Sequence, residues 1–252
     1  MKLLFLKKNV RKNKALFSVS KNNDVSIRRE KNMSNNVFLE KAKYFIFPNK
    51  GRYANFNKFP EETIKFPIIE DSMYGTYPLN KHHFKPFYHI QYVLPILCES
   101  LNIPYDINDF NVIEKFEGKH DISYLEFKKE CYFDLHDMIN DEKYENVDFS
   151  YLRKCDLKDD SINEYHRIFR YPHRCGHIIN KTINNDRILV ISCDSQMIPI
   201  MPVLACYFKE IWHLDNRQNK EVIKHIDPSK VTDVVVVGGF NEEEKYTVKN
   251  FK

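Results

Sequence analysis

Residues 187–208 read RILVISCDSQMIPIMPVLACYF, an apolar run that stops at Cys-Asp-Ser and a second apolar run that starts at once. Ile188–Ser192 is short and rich in β-branched side chains, which suits a strand, and Met197–Phe208 is long enough for a helix. Working outward, Glu210–Leu214 is apolar again, Gln218–Ile226 is polar and helical in character, and Asp227-Pro228 is a turn. Val231–Val237 is almost purely valine. The order is strand, helix, strand, helix, strand. Continuous apolar strands joined by crossover helices predict an α/β protein of three layers, α/β/α, with a mainly parallel sheet covered on both faces.

The N-terminal half is less regular. Ala15–Ser20 and Tyr44–Phe47 have strand character, and Phe87–Leu101 predicts a helix through Ile90, Val93, Leu94, Leu97 and Leu101. Pro95 should kink that helix or mark its real start, because proline lacks the amide and crowds the preceding turn. Gly51–Pro86, rich in Pro and Tyr, reads as a long functional or capping loop. Asp121–Asn140 is expected to be a further helix, and Asp141–Asn163 an acidic loop.

At 252 residues the chain can bury a substantial core. Its 42 % hydrophobic and 29 % charged residues are those of a folded protein rather than a disordered one. The net charge of +4 is unevenly placed: residues 1–50 hold 13 Lys/Arg against 3 Asp/Glu, leaving 26 against 32 in the remainder. Residues 1–40 are therefore expected to be a basic extension, part strand or disordered, and 41–252 a single α/β domain. Such an arm can make weak contact with an anionic surface, though a solvated tail explains it equally well. It carries no nucleic-acid-binding motif, so a nucleic-acid partner is not expected.

Leu3–Leu6 is too short for the apolar core of a secretory signal, and no stretch approaches the ~20 apolar residues that span a bilayer. The sequence as given reads as cytoplasmic, or extracytoplasmic only if the N-terminus is incomplete. Six cysteines without a CxxC pair read as free thiols.

Of three Asp-Ser pairs, only Asp194-Ser195 follows a predicted buried strand and precedes a predicted helix. In an open α/β sheet, ligands bind beyond the carboxyl ends of the strands, where a starting helix directs its unpaired amides. A serine there has an exposed hydroxyl and backbone donors for an oxyanion, as acyl transfer requires. Ser195 or Asp194 could equally be a helix cap.

A strand, Gly-Asp-Ser and a helix form the first block of the SGNH/GDSL hydrolases, and Cys193-Asp194-Ser195 resembles it with Cys in place of Gly. DSQMIPIMPVLACYFKEIWHLD resembles more closely the block of the alginate O-acetylation (AlgX/AlgJ-like) branch, through Pro202, Leu204, Ala205 and Phe208. PNKGRYANFNKFP resembles that branch's upstream segment through Pro48, Lys50, Tyr53 and Pro60. The resemblance implies an SGNH-hydrolase, flavodoxin-like fold and a carbohydrate O-acyl (O-acetyl) transferase or esterase acting on polysaccharide or a glycan precursor. It also implies a base from an Asp-x-His motif upstream of the serine. Asp134-Leu135-His136 stands in that order, so Ser195 would be the nucleophile, His136 the base and Asp134 its orienting acid. The Trp that usually follows is Asp137 here.

Around this triad, Cys193, Asp194, Gln196, Gly238, Gly239 and Asn241 are candidates for the oxyanion or substrate site, since Gly238-Gly239 ends a strand of the same sheet. His173 and His177 are further candidates, as alternative bases or substrate contacts. Their spacing suits zinc, but no third ligand completes a set, so neither metal nor cofactor is expected. The expected partner is a carbohydrate or acyl-donor substrate. The alternative is a catalytically inactive SGNH-like module that binds glycan or a partner of polysaccharide assembly.

Overall fold

The computed structural model describes residues 38, 40–47, 61–67, 88–117, 120–149, 175–193, 197, 200–215 and 222–238. The valine run becomes an inner strand of an eight-stranded sheet. In chain order the strands are β1 (Ala42–Ile46), β2 (Ile64–Lys65), β3 (Phe110–Glu117), β4 (His120–Phe127), β5 (Tyr132–Asp137), β6 (Glu142–Asp148), β7 (Cys175–Asn180), β8 (Ile188–Cys193), β9 (Glu210–Asp215) and β10 (Asp233–Gly238). The main sheet runs β2-β1-β10-β8-β9-β7-β5-β6, and β3 and β4 form a separate antiparallel ribbon.

Strands β2, β1, β10, β8 and β9 are parallel, as the strand–crossover reading predicted. The other three strands are not: β9–β7, β7–β5 and β5–β6 all pair antiparallel. The fold is thus mixed α/β, and the mainly parallel three-layer form is only half realised. The reason lies in 121–149, read as a helix and an acidic loop but folded as β4, β5 and β6. In Tyr132–Asp137 the burial alternates strictly, with Phe133 and Leu135 inward and Asp134 and His136 outward, which is the period of a strand. Cys175–Asn180, which carries the candidate base His177, is likewise a strand.

Helices are short among the described residues. The helix α1 (Leu94–Ser100) begins at Leu94 with Pro95 in its first turn, and a wider π turn over His89–Val93 precedes it. Pro95 has no amide to give an α-helical bond, so the chain before it winds differently, as its position predicted. After β8, α2 covers only Met201–Ala205, shorter than the expected Met197–Phe208. The stretch expected as a helix over 218–226 holds a 3₁₀ turn at Val222–His225.

Alternation on the parallel strands divides the core in two. Leu189, Ile191, Cys193, Ile211, Val235 and Val237 pack under α1 and α2 on one face. Val190, Trp212, Leu214, Val234 and Val236 pack with Phe38, Val222, Ile226 and Val231 on the other. Arg187 ties the amino edge together: its guanidinium donates to Asp233 from Nε (3.1 Å) and Nη2 (2.7 Å), gives Nη2 to the Leu101 carbonyl (2.7 Å) and lies 4.9 Å from the centre of the Phe208 ring. Buried Asn180 bridges the same region, with Nδ2 on the Ala205 carbonyl at 2.7 Å while its Oδ1 accepts from the Thr182 and Ile183 amides.

Candidate functional site

The carboxyl edge of the sheet is where β8 stops. Cys193 is its last residue, fully buried, and its register partner on β9 is Asp215. Asp194, Ser195 and Gln196 follow but lie outside the described residues, as do His173, Gly239 and Asn241. Beyond them Met197 and Ile200 are buried in the core under the sheet. Gly238 ends β10 beside Ile46 of β1, so it occupies the same edge as Cys193.

Buried polar side chains gather at this edge. Of the six in the described residues, His213, Asp215, Asp137 and His89 all stand there, each at most 2 % exposed. His213 pairs in register with Ile191 on β8 and with Gly176 on β7, and Gly176 pairs in turn with Asp137. Partners in register share a face, so His213, Asp215 and Asp137 project on the side of Cys193. Gly176 has no side chain to fill the lane between His213 and Asp137. On the far side, His89 meets the Phe47 ring edge-on at 6.1 Å, just past the end of β1. Polar groups so buried are costly unless engaged, and the carboxyl edge is where open α/β sheets take their ligands. The Asp137 carboxylate also builds the edge: it accepts from the Ile139 and Asn140 amides (2.8 and 3.1 Å) and from Asn140 Nδ2 (2.7 Å), closing the β5–β6 turn.

The Asp134–His136 pair implied by the resemblance is engaged elsewhere. Asp134 is ion-paired with Lys181 and accepts from the Asn146 amide at 3.0 Å. Asn146 has φ 53° at the point where the β5–β6 register slips, so Asp134 pins a β-bulge. Burial acts to raise the Asp134 pKa, but the bonds from Lys181 and Asn146 outweigh it and hold the carboxyl below its ordinary value. His136 Nε2 meets Asp141 Oδ1 at 2.7 Å instead, and that bond holds the Asp141 carboxyl low. Side chains two apart on a strand share a face but stand ~6.6 Å apart, which favours partners across the sheet over each other.

His136 also faces away from Cys193. It is in register with His177, His177 with Trp212, and Trp212 with Val190, all on the opposite face and three strands from β8, about 14 Å at ~4.8 Å per strand. His177 stacks on Trp212 with centroids 3.8 Å apart, and both reach Glu210 Oε1, at 2.9 Å from His177 Nε2 and 2.6 Å from Trp212 Nε1. The His177 bond, with its charge, lowers the Glu210 pKa against the effect of burial. His177 is therefore placed in a packed surface cluster behind the sheet, and Trp212 packs in the core on that face.

His213 was missed in the sequence because Glu210–Asp215 reads as an apolar strand centred on Trp212. The available signal was His-x-Asp on the strand following the crossover from β8, two positions that share one face.

The fold is a mixed α/β sheet with four of its six described buried polar residues at the carboxyl edge. It is similar to Bacillus cereus PatB1 solved with a sulfonyl adduct, with TM-score 0.62 at 16 % identity over 86 % of both chains. A second PatB1 structure gives TM-score 0.60 at 16 % identity, covering 91 % of this chain and 92 % of that one. A DHHW family protein from Eubacterium siraeum DSM 15702 gives 0.57 at 15 % identity, covering 93 % of this chain and 91 % of its own. At such identities the likeness is one of fold. No protein-family model matches the sequence, and no curated protein matches it significantly.

Proposed function

We propose that the chain is a serine-dependent O-acyl transferase or esterase, with an acetylated carbohydrate as its substrate class. The observation that carries this is the buried row of His213, Asp215 and Asp137 on the face and edge where β8 ends at Cys193, the residue that precedes Asp194-Ser195 in the sequence. Ser195 attacks the acyl carbonyl, its proton passes to His213 and then to the leaving sugar oxygen, and a second hydroxyl or water releases the acyl group. Asp215, two residues along the same strand face and so ~6.6 Å away, contributes negative charge near the imidazolium rather than a direct hydrogen bond. The Ser195 amide, with Gly238 at the end of the neighbouring strand and Gly239 and Asn241 after it in the sequence, is the proposed source of oxyanion donors.

Three things support the reading: the resemblance of 194–215 to the alginate-acetylating block, the position of that block, and the shared fold with a protein solved carrying a sulfonyl adduct, the product a sulfonyl electrophile leaves on a nucleophile. His136 is the competing base, with Asp141 rather than Asp134 as its acid.

Fluorophosphonate labelling separates these. Wild type is expected to label and Ser195→Ala not. His213→Gln should slow labelling by ~10²–10⁴-fold, and His136→Gln should change it little. Loss of labelling in His136→Gln with His213→Gln intact would move the base to His136. A folded wild type that never labels would overturn the enzyme reading and leave a glycan- or partner-binding module.

A further inference from the structure

One row of the sheet has a gap in it. Across the neighbouring strands β10, β8, β9, β7 and β5, the register partners on the face of Cys193 are Val235, Ile191, His213, Gly176 and Asp137. Val235 and Ile191 are wholly buried, and His213 and Asp137 are each 1 % exposed. Gly176 alone brings no side chain, although it is buried and has a ladder partner on both sides. A glycine inside a strand weakens it and marks a point where a ligand or another backbone comes close. Helix α2 meets β7 at the opposite end of that strand, through Asn180 and the Ala205 carbonyl, which favours the ligand.

The surroundings of the gap are those of a binding crevice. Strands β9 and β5, which flank it, stand two strand spacings or ~9.6 Å apart. At its outer end is Asp215, 2 % exposed, last of β9 and on the same face as His213. The ladder on the β7 side stops one residue short of it, since Cys175, the first of β7, pairs with Leu214. Strands β8 and β9 also send their connections to opposite faces: Met197, Ile200 and α2 pack in one core cluster, Val222 and Ile226 in the other. Parallel strands so connected take ligands between their carboxyl ends. We propose that the lane floored by Gly176 is the subsite for the alcohol half of the ester, a pyranose ring set between β9 and β5, with Asp215 accepting from one of its free hydroxyls.

A sugar ring suits each boundary. Its C–H face can lie flat on a strand that has no side chain in the way, and its hydroxyls point to the rims. A carboxylate at the rim accepts from a hydroxyl in a charge-assisted bond, which is stronger than a neutral one. Asp137 forms the far wall, fixed by the Ile139 and Asn140 amides and by Asn140 Nδ2. Which half of the ester lies here rests on the reading of Ser195 and His213 above: His213 borders the lane and passes its proton to the leaving sugar oxygen. The β8 and β10 side of His213 is closed to a ring, because Ile191 and Val235 occupy the row there.

The test compares two esters with the same acyl group, ethyl acetate and partially O-acetylated xylo- and manno-oligosaccharides, in wild type, Gly176→Val and Asp215→Ala. Valine is favoured in strands, so Gly176→Val fills the lane without an intrinsic cost to β7, and Gly176→Ala is the milder variant should it fail to fold. The readout is the ratio of kcat/KM for the oligosaccharide to that for ethyl acetate, in which any effect on His213 itself cancels. Asp215→Ala should lower that ratio ~10–100-fold, the worth of a hydrogen bond to a charged group, and Gly176→Val should lower it at least as far. An unchanged ratio in folded variants would overturn the subsite and leave the esterase reading standing. Calorimetric titration with the deacetylated oligosaccharides needs no catalysis: a wild type that turns over neither ester but binds them, and loses binding in both variants, keeps the subsite and removes the esterase. A wild type that neither binds nor prefers any of the oligosaccharides would overturn the assignment.

Discussion

Arg187→Met keeps the aliphatic stem and deletes the guanidinium, and its cost can be estimated from the contacts. Two charged hydrogen bonds to Asp233 are lost, each worth at most ~1.5–3 kcal/mol. The pair is 27 % and 14 % exposed, which brings each toward the lower end. The Leu101 carbonyl loses its donor for ~1 kcal/mol, and the stack on Phe208 adds ~0.5–1 kcal/mol. Thr232 Oγ1 still donates to Asp233 at 2.7 Å, so the carboxylate is not stranded. The net expectation is a destabilisation of about 4–5 kcal/mol, read in urea unfolding as a midpoint lowered by ~1.5–2 M at unchanged slope. Arg187→Lys should fall between, because a lysine supplies charge without the planar fork. The double variant Arg187→Met/Asp233→Asn should be less destabilised than the sum of the singles. An Arg187→Met protein within ~0.5 kcal/mol of wild type, or full additivity in that cycle, would refute the idea that this side chain locks β8, β10 and the end of α1.

The cluster behind the sheet predicts an acid response. The folded Glu210 pKa is depressed, chiefly by the His177 bond, so its stabilisation is present above the ordinary glutamate value of ~4.3 and is lost as the pH falls through the lower folded value. Glu210→Gln should flatten the acid limb of the urea midpoint against pH, and an unchanged limb would count against the His177–Glu210 contact. Asn180→Ala removes the donor on Ala205 and strands the Thr182 and Ile183 amides, which should cost about 2–3 kcal/mol. Asn180→Asp, which keeps the acceptor, should recover part of that in thermal unfolding.

The inner parallel strands β8, β9 and β10 were legible because they are buried on both faces and read as unbroken apolar runs, with Val234–Val237 the clearest case, whereas the two-residue β2 lay inside the segment read as a loop. The antiparallel half was hidden by its position at the sheet's flank: β6 shows mostly exposed or half-buried residues, and β5 is apolar only at every second position. Its charges therefore resembled a polar helix or loop. The edge at which β8 ends followed from strand order, whereas the partners of Asp134 and His136 did not, because Lys181 and the Asn146 bulge are cross-strand neighbours that spacing cannot reveal. His213 went unnoticed for the opposite reason, being polar within a strand otherwise read as core.

The last described strand lies inside the sheet, between β1 and β8, and not at its margin. The Lys41 side chain reaches the Val231 carbonyl across 190 residues of sequence. During synthesis β1 and β2 consequently have no sheet to join until β10 has left the ribosome, whereas β5 and β6 meet through a local turn. Closure of β1 onto β10 is a high-contact-order event, slow by nature, and until then β8 offers an open, apolar edge to other chains. Truncation ahead of Asp233 should accordingly yield an aggregating product rather than a smaller folded one, which makes the valine strand the step that completes folding.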